Sequence, residues 1–219
     1  MLNYKKTAFP DGTAVLDLER ERLDRIREMV WQTDTIVTKR SWGYIGDDDF
    51  KSADQLVDEL VDIVSKNGVL LLNVGPMADG TIPRKTSDIL IEIGSWLDVN
   101  GEAIYQSRPW HTFGEGPHLV CERERRSRPY EPFTAEDIRF TTRAGNIYVI
   151  CLDWPDKELK VESLSSRTFL SSNGISDVQL LGSAQKLKWS QDGTGLTIEL
   201  PSEMPCKYAF VFKIILNRD

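Results

Sequence analysis

Apolar positions in the first half of the chain alternate between strand-like and helix-like spacing. Residues 14–18 form a short apolar run after the Pro10-Asp11-Gly12 turn signal and suit a buried strand. Leu23 and Ile26 stand three apart inside the charged stretch 19–28, a spacing that predicts a helical turn. Over residues 53–66, Leu56, Val57, Leu60, Ile63 and Val64 share one face of a helix. Ser52 supplies its N-cap and Asn67-Gly68 its stop. The unbroken apolar run 69–74 then predicts a strand buried on both faces, as parallel strands are. Pro83 opens a second helix carrying Ile89, Leu90, Ile93 and Leu97. Strand, helix, strand, helix is the order of a parallel α/β sheet or barrel. Only about two such units are present, however, and a closed (β/α)₈ barrel takes ~250 residues.

The pattern changes near residue 115. Short β-rich runs at 137–141, 146–152, 160–164, 175–181, 195–200 and 208–216 are separated by Gly, Asn, Asp and Ser. Runs of this length and spacing predict an antiparallel sandwich. The expected organisation is therefore an α/β part over 1–114 and an all-β part over 115–219.

Composition narrows the partners. The 219 residues carry a net charge of −7, with 40% hydrophobic and 28% charged residues, which is ordinary for a globular protein. Nucleic acid is not expected as a partner, because phosphate binding needs clustered Lys and Arg. The basic stretch 123–128 is interrupted by Glu124 and reads as a solvated loop. No apolar run approaches the ~20 residues of a membrane span, and residues 1–6 lack the apolar core of a signal peptide. The expectation is a soluble chain with no membrane partner, in a compartment the sequence does not specify. Cys121, Cys151 and Cys206 lie far apart without CxxC spacing, which fits free thiols. No group of residues has metal-site spacing and no glycine-rich loop resembles a phosphate cradle, so no metal and no cofactor is expected.

Three stretches carry a family resemblance. They are Trp31-Gln32-Thr33-Asp34-Thr35 with Ser41-Trp42-Gly43-Tyr44, then 67–76 with Asp79-Gly80-Thr81-Ile82-Pro83, and then 94–105 ending in Arg108-Pro109-Trp110. In this order they resemble the α-L-fucosidases of glycoside hydrolase family 29, over residues 3–115. Residues 133–140 resemble the opening of that family's C-terminal sandwich. The resemblance implies the C-terminal part of a (β/α)₈-type barrel followed by an antiparallel β-sandwich. The implied activity is retaining hydrolysis of terminal α-L-fucose by an Asp nucleophile and a carboxylic acid/base, two carboxyl groups ~5–5.5 Å apart. The nucleophile motif of the family, an aromatic residue followed by Asp-Gly on an earlier strand, does not occur before Glu19. The family's early fucose-binding histidines are missing as well, since His111 and His118 match none of them. The isolated chain is accordingly expected to be inactive. Its expected partners are a fucosylated glycan and either a chain carrying the missing barrel half or further copies of itself. The competing expectation is a non-catalytic carbohydrate-binding or scaffold module.

The resemblance also names candidate site residues. Arg20 stands twelve positions before Gln32, an offset at which the family places a sugar-contacting arginine; a salt bridge to Glu21 or Asp24 is the structural alternative. Many relatives read Trp-Glu where this chain has Trp31-Gln32, and a glutamine cannot exchange a proton at neutral pH. Glu19, at the end of the expected strand, is then the candidate acid/base, with Glu21 next. Trp31 is the candidate aromatic wall for fucose. Trp42 and Tyr44 are expected in the core, Asn73 to Pro76 as scaffold beneath the site, and Asp79 as a loop hydrogen-bonder. Relatives commonly read Gly-Asn-Leu-Leu-Leu-Asn where this chain has Val69 in place of the first Asn, which removes a polar group near the barrel.

Overall fold

The computed structural model describes residues 2–5, 9–10, 12–119, 131–169 and 174–217. Cys121 and the basic stretch 123–128 lie outside them. The first half forms a four-stranded, wholly parallel sheet of β1 (Asn3–Tyr4), β2 (Val15–Glu19), β3 (Trp31–Ile36) and β4 (Gly68–Asn73), in that order. Helices α1 (Ala53–Ser65) and α2 (Arg84–Asn100) follow β3 and β4. The second half forms two antiparallel sheets. One has five strands in the order β5 (Arg108–Glu115), β6 (Ile138–Arg143), β7 (Asn146–Cys151), β12 (Phe210–Leu216) and β9 (Ile175–Leu180). The other has three, β10 (Trp189–Asp192), β11 (Gly195–Glu199) and β8 (Glu158–Val161).

Layering follows from where the apolar side chains go. Phe140, Val149, Phe210 and Phe212 on one face of the five-stranded sheet pack against Leu159, Val161, Leu196 and Ile198 of the three-stranded sheet. Its other face, through Tyr148, Ile150 and Val211, packs against Leu56, Val57 and Val61 of α1 and Ile93 and Trp96 of α2. Every residue of β7 is therefore buried. Trp96 adds a direct tie, its indole N–H donating to the Ala209 carbonyl at 2.7 Å. The helices thus lie between the parallel sheet and the sandwich, and no helix among the described residues is long and apolar enough to cross a membrane.

Both predicted helices form where the periodicity put them. Ser52 caps α1 by accepting from the Gln55 N–H at 3.0 Å. Asn67, at φ 68°, turns the chain out of the helix. Gly68 is required for a different reason: a Cβ there would lie 2.7 Å from the Trp31 ring.

Three expectations are corrected. The stretch 19–28 contains no helical turn; the backbone leaves β2 through Arg20 at φ 53° and runs on as bends. Strand β4 is not buried on both faces, since Val69 and Leu71 are 51% and 52% exposed on the side away from the helices. The expected boundary at 114/115 lies at the end of β5, which pairs with β6. Helix α1 is more deeply buried than a one-faced amphipathic helix, with Asp58, Glu59 and Asp62 all in the interior, because it packs between two sheets.

Two of those acids, Glu59 and Asp62, are matched by cations. Lys51 Nζ donates to both Glu59 oxygens and to Thr35 Oγ1 of β3, each at 2.9 Å. Asp62 accepts from Lys66 Nζ at 2.8 Å and from Arg139 Nε of β6 at 2.7 Å, with all three side chains fully buried. Burial pushes the Asp62 carboxyl pKa up, but Arg139, Lys66 and Arg22 outweigh it and hold the pKa below the usual value. A depressed folded-state pKa contributes stability above the unfolded value of about 3.9 and loses it as pH falls through the folded value. Acid unfolding should therefore begin below about pH 4, and Asp62→Ala should remove ~3–5 kcal/mol of stability by stranding two buried cations. Urea denaturation of wild type and Asp62→Ala at pH 7 and across the acid range checks both; a loss under ~1 kcal/mol would show the cluster to be dispensable.

Candidate functional site at the strand ends

The register of the parallel sheet determines which side chains meet. Asp17 pairs with Gln32 and Glu19 with Asp34, while Gln32, Asp34 and Ile36 pair with Val69, Leu71 and Asn73. Alternation along each strand then puts Asp17, Glu19, Gln32, Asp34, Val69, Leu71 and Asn73 on the helix-free face. Trp31 and Thr35 take the face toward α1, where Thr35 meets Lys51 and Trp31 meets Ile63 through Gly68.

On the helix-free face the charged groups gather at the C-terminal ends of the strands. Lys5, just after β1, donates from Nζ to Asp34 Oδ2 at 2.7 Å and lies 3.8 Å from Asp17 Oδ2 and 3.9 Å from Glu19 Oε2. The hydrogen bond to Asp34 raises the lysine pKa, against a smaller opposing effect of burial and with help from the three carboxylate charges. Gln32 Nε2 donates to Asp17 Oδ1 at 3.3 Å, so the glutamine serves as a neutral donor within the cluster.

Arg20 closes the cluster on one side. Its backbone N–H donates to the Asp34 carbonyl at 2.9 Å, and its left-handed φ turns the chain sharply at the strand end. The guanidinium lies 4.7 Å over the Trp42 ring, and Nη1 donates to the Lys39 carbonyl at 3.4 Å. Trp42 and Tyr44, expected in the core, are instead 37% and 46% exposed. Asn73 holds their loop by donating from Nδ2 to the Trp42 carbonyl at 2.8 Å. Asp79 accepts from the Thr81 N–H and hydroxyl at 3.0 and 2.7 Å, a turn contact of the kind expected.

Two polar atoms in this region are buried with no hydrogen-bond partner among the described residues: Asp34 Oδ1, an acceptor, and Arg20 Nε, a donor. Together with the Glu19 carboxylate, which is about half exposed, they offer donors and acceptors suited to a hydroxyl-rich ligand. No group of three or more His, Cys, Asp or Glu able to hold a metal occurs among the described residues.

The structure brings Glu19 and Arg20 together and separates Trp31 from them. Trp31 is fully buried, with its indole N–H donating to the Lys66 carbonyl at 2.9 Å, so no ring face is left for a sugar. The aromatic-wall expectation for Trp31 is corrected to a core role, because strand alternation places it opposite Gln32 and Asp34. The aromatic side chain near the cluster is Trp42. Sequence reasoning missed Lys5, Asp17 and Asp34 as members of the cluster. The even spacing of Asp17 and Glu19 and of Gln32 and Asp34 was the available signal, whereas a two-residue strand before Lys5 is too short to show a period. Trp31→Ala should cost ~3–5 kcal/mol through the cavity it leaves, and Glu19→Gln should change stability by less than ~0.5 kcal/mol. Urea unfolding of the two variants checks the assignment, and equal costs would contradict it.

Comparison with known proteins identifies the family. The family model described as alpha-L-fucosidase matches residues 4–102, and the one described as alpha-L-fucosidase C-terminal domain matches residues 131–215. The plasma alpha-L-fucosidase of Homo sapiens is 33% identical over 198 residues, covering 84% of this chain and 37% of that protein. The tissue alpha-L-fucosidase of Homo sapiens is 33% identical over 192 residues, covering 84% and 36%. The chain therefore spans less than two fifths of the length of these relatives. Among solved structures, the Thermotoga maritima alpha-fucosidase in complex with fucose superposes at a TM-score of 0.70 with 28% identity, over 91% of this chain and 42% of that one. Alpha-L-fucosidase isoenzyme 1 from Paenibacillus thiaminolyticus shares the fold at a TM-score of 0.71 and 24% identity, over 92% and 45%. The sequence motifs and these matches agree: the chain belongs to the α-L-fucosidase family and corresponds to its C-terminal portion.

Proposed function

We propose that this chain is the C-terminal part of a retaining α-L-fucosidase, which releases terminal α-L-fucose from glycoconjugates or oligosaccharides. In this reading residues 1–114 are the C-terminal part of a (β/α)₈-type barrel and 115–219 its sandwich, with β5 at the junction, paired to the first strand of the sandwich. The observation that carries the reading is the gathering of Glu19, Arg20 and Asp34 at the C-terminal ends of parallel strands on the helix-free face. Barrel active sites lie at that end of the strands. Glu19 is the candidate acid/base and Arg20 the candidate donor to the sugar hydroxyls, its planar fork suiting polar recognition.

Two features support an incomplete site in the isolated chain. Four parallel strands are half of the eight that close a barrel. Val69 and Leu71 are exposed on the face that a barrel interior would cover, which supports a partner chain, or further copies of this one, packing there. Retaining hydrolysis also needs a nucleophilic carboxylate placed opposite the acid/base across the scissile bond. These 219 residues alone should therefore give no turnover of an aryl α-L-fucoside above a buffer blank. Turnover that disappears in Glu19→Gln would overturn the incomplete-site reading and keep the fucosidase assignment. Turnover insensitive to both Glu19→Gln and Arg20→Ala would overturn the residue assignments.

A further inference from the structure

A second polar cleft lies far from the strand-end cluster. Helix α2 starts after the C-terminal end of β4 and runs 17 residues, roughly 25 Å. Its far end, with the Gly101–Ala103 turn, meets the five-stranded sheet around a cleft of about 1040 Å³. Ligand pockets commonly occupy ~300–1,000 Å³, so the space is ample for one or two sugar rings.

The cleft has a rigid floor and an exposed aromatic wall. Glu102 Oε1 accepts from the buried Tyr148 hydroxyl at 2.5 Å and from Lys213 Nζ. Those two hydrogen bonds hold the Glu102 pKa low, so the carboxylate stays ionised and paired. Arg143 Nη2 donates to Gln106 Oε1 at 3.3 Å, and Nη1 donates to the Glu102 carbonyl at 3.4 Å. Tyr105 is 57% exposed, yet its position is set from below: a Cβ on Gly101 would lie 2.8 Å from ring atom Cε2. Ala144 and Gly145, at φ 51° and 80°, are the two-residue loop joining β6 to β7, a tight hairpin turn that needs left-handed backbone at both positions and so fixes the rim beside Arg143.

The lining says what such a site would take. Asp98 and Glu102 balance Arg143 and Lys213, so the cleft carries no net charge to select an ion. An exposed ring beside fixed amide and guanidinium donors and a carboxylate suits a neutral ligand with one apolar face and a hydroxyl-rich edge. We infer that the cleft under Tyr105, between the end of α2 and the five-stranded sheet, is a binding site for a neutral pyranose saccharide, with Tyr105 as its stacking platform and Gln106, Arg143 and Glu102 as its polar edge. This site is separate from the strand-end cluster and does not depend on hydrolysis there.

The test is a ¹H–¹⁵N titration of the full chain with N-acetyllactosamine, cellobiose and maltose in turn. At least one should shift the amides of Glu102, Gln106 and Gly145 saturably, with a Kd on the order of 1 mM. Tyr105→Ala should weaken that binding about tenfold, and Tyr105→Trp should keep it. Because Tyr105 is exposed, Tyr105→Ala should melt with the wild type; Arg143→Gln provides a second variant expected to weaken binding if it does not. No response of these amides to any of the three sugars would overturn the assignment. So would shifts that survive both Tyr105→Ala and Arg143→Gln unchanged.

Discussion

The fold depends on helix α1 carrying charge in both directions at once. Glu59 reaches Lys51 and, through it, Thr35 of the parallel sheet, while Asp62 reaches Arg139 of the antiparallel sheet. Burying an ion costs several kcal/mol even after relaxation, and only close, hydrogen-bonded partners return it. Each acid therefore fixes its partner element tightly in place. Apolar packing alone would allow α1 to slide or rotate against either sheet, since hydrophobic contact is not directional. The Arg139 side chain extends the arrangement by donating to the His118 carbonyl at 2.8 Å, and His118 in turn joins Asp137 through both its N–H and its ring at 2.9 and 2.8 Å. A chain of polar contacts thus runs from the helix layer to the start of β6.

This arrangement positions the strand-end cluster. Trp31 is locked on the α1 side of the sheet by Gly68 and the Lys66 carbonyl, and Lys66 is itself held by Asp62. Alternation along β3 then leaves Gln32 and Asp34 no choice but the helix-free face. The buried cluster, the packing of Trp31 and the placement of Asp34 on the helix-free face are consequences of one register.

Much of the fold was legible in the sequence because its signals are local. Ser52, Asn67 and Pro83 mark helix ends, and the runs in 137–216 have the lengths of strands. The buried acids of α1 were not legible, since Asp58, Glu59 and Asp62 look like the solvent face of an ordinary helix until a second sheet covers them. Strand β3 escaped for a similar reason: Gln32 and Asp34 alternate with Trp31 and Thr33, and a polar face reads as a loop unless something is known to lie against it. The placement of the candidate residues was legible in part. Glu19 and Arg20 stand at the end of a strand, as their position after the apolar run suggested, whereas Trp31 was misplaced because its motif position carries no information about which way a strand faces. Trp42 was misjudged in the opposite sense, as its exposure depends on the loop that Asn73 holds.

The central proposal is that the strand ends around Glu19, Arg20 and Asp34 form a fucose-binding side of the molecule. Titration of the ¹⁵N-labelled chain with L-fucose tests it most directly, by following the backbone amides of Arg20 and its neighbours in β2 and β3. The account predicts saturable shifts there, lost in Arg20→Ala and absent with D-glucose at the same concentration. Silence at these amides, or a response shared equally by both sugars, would contradict it.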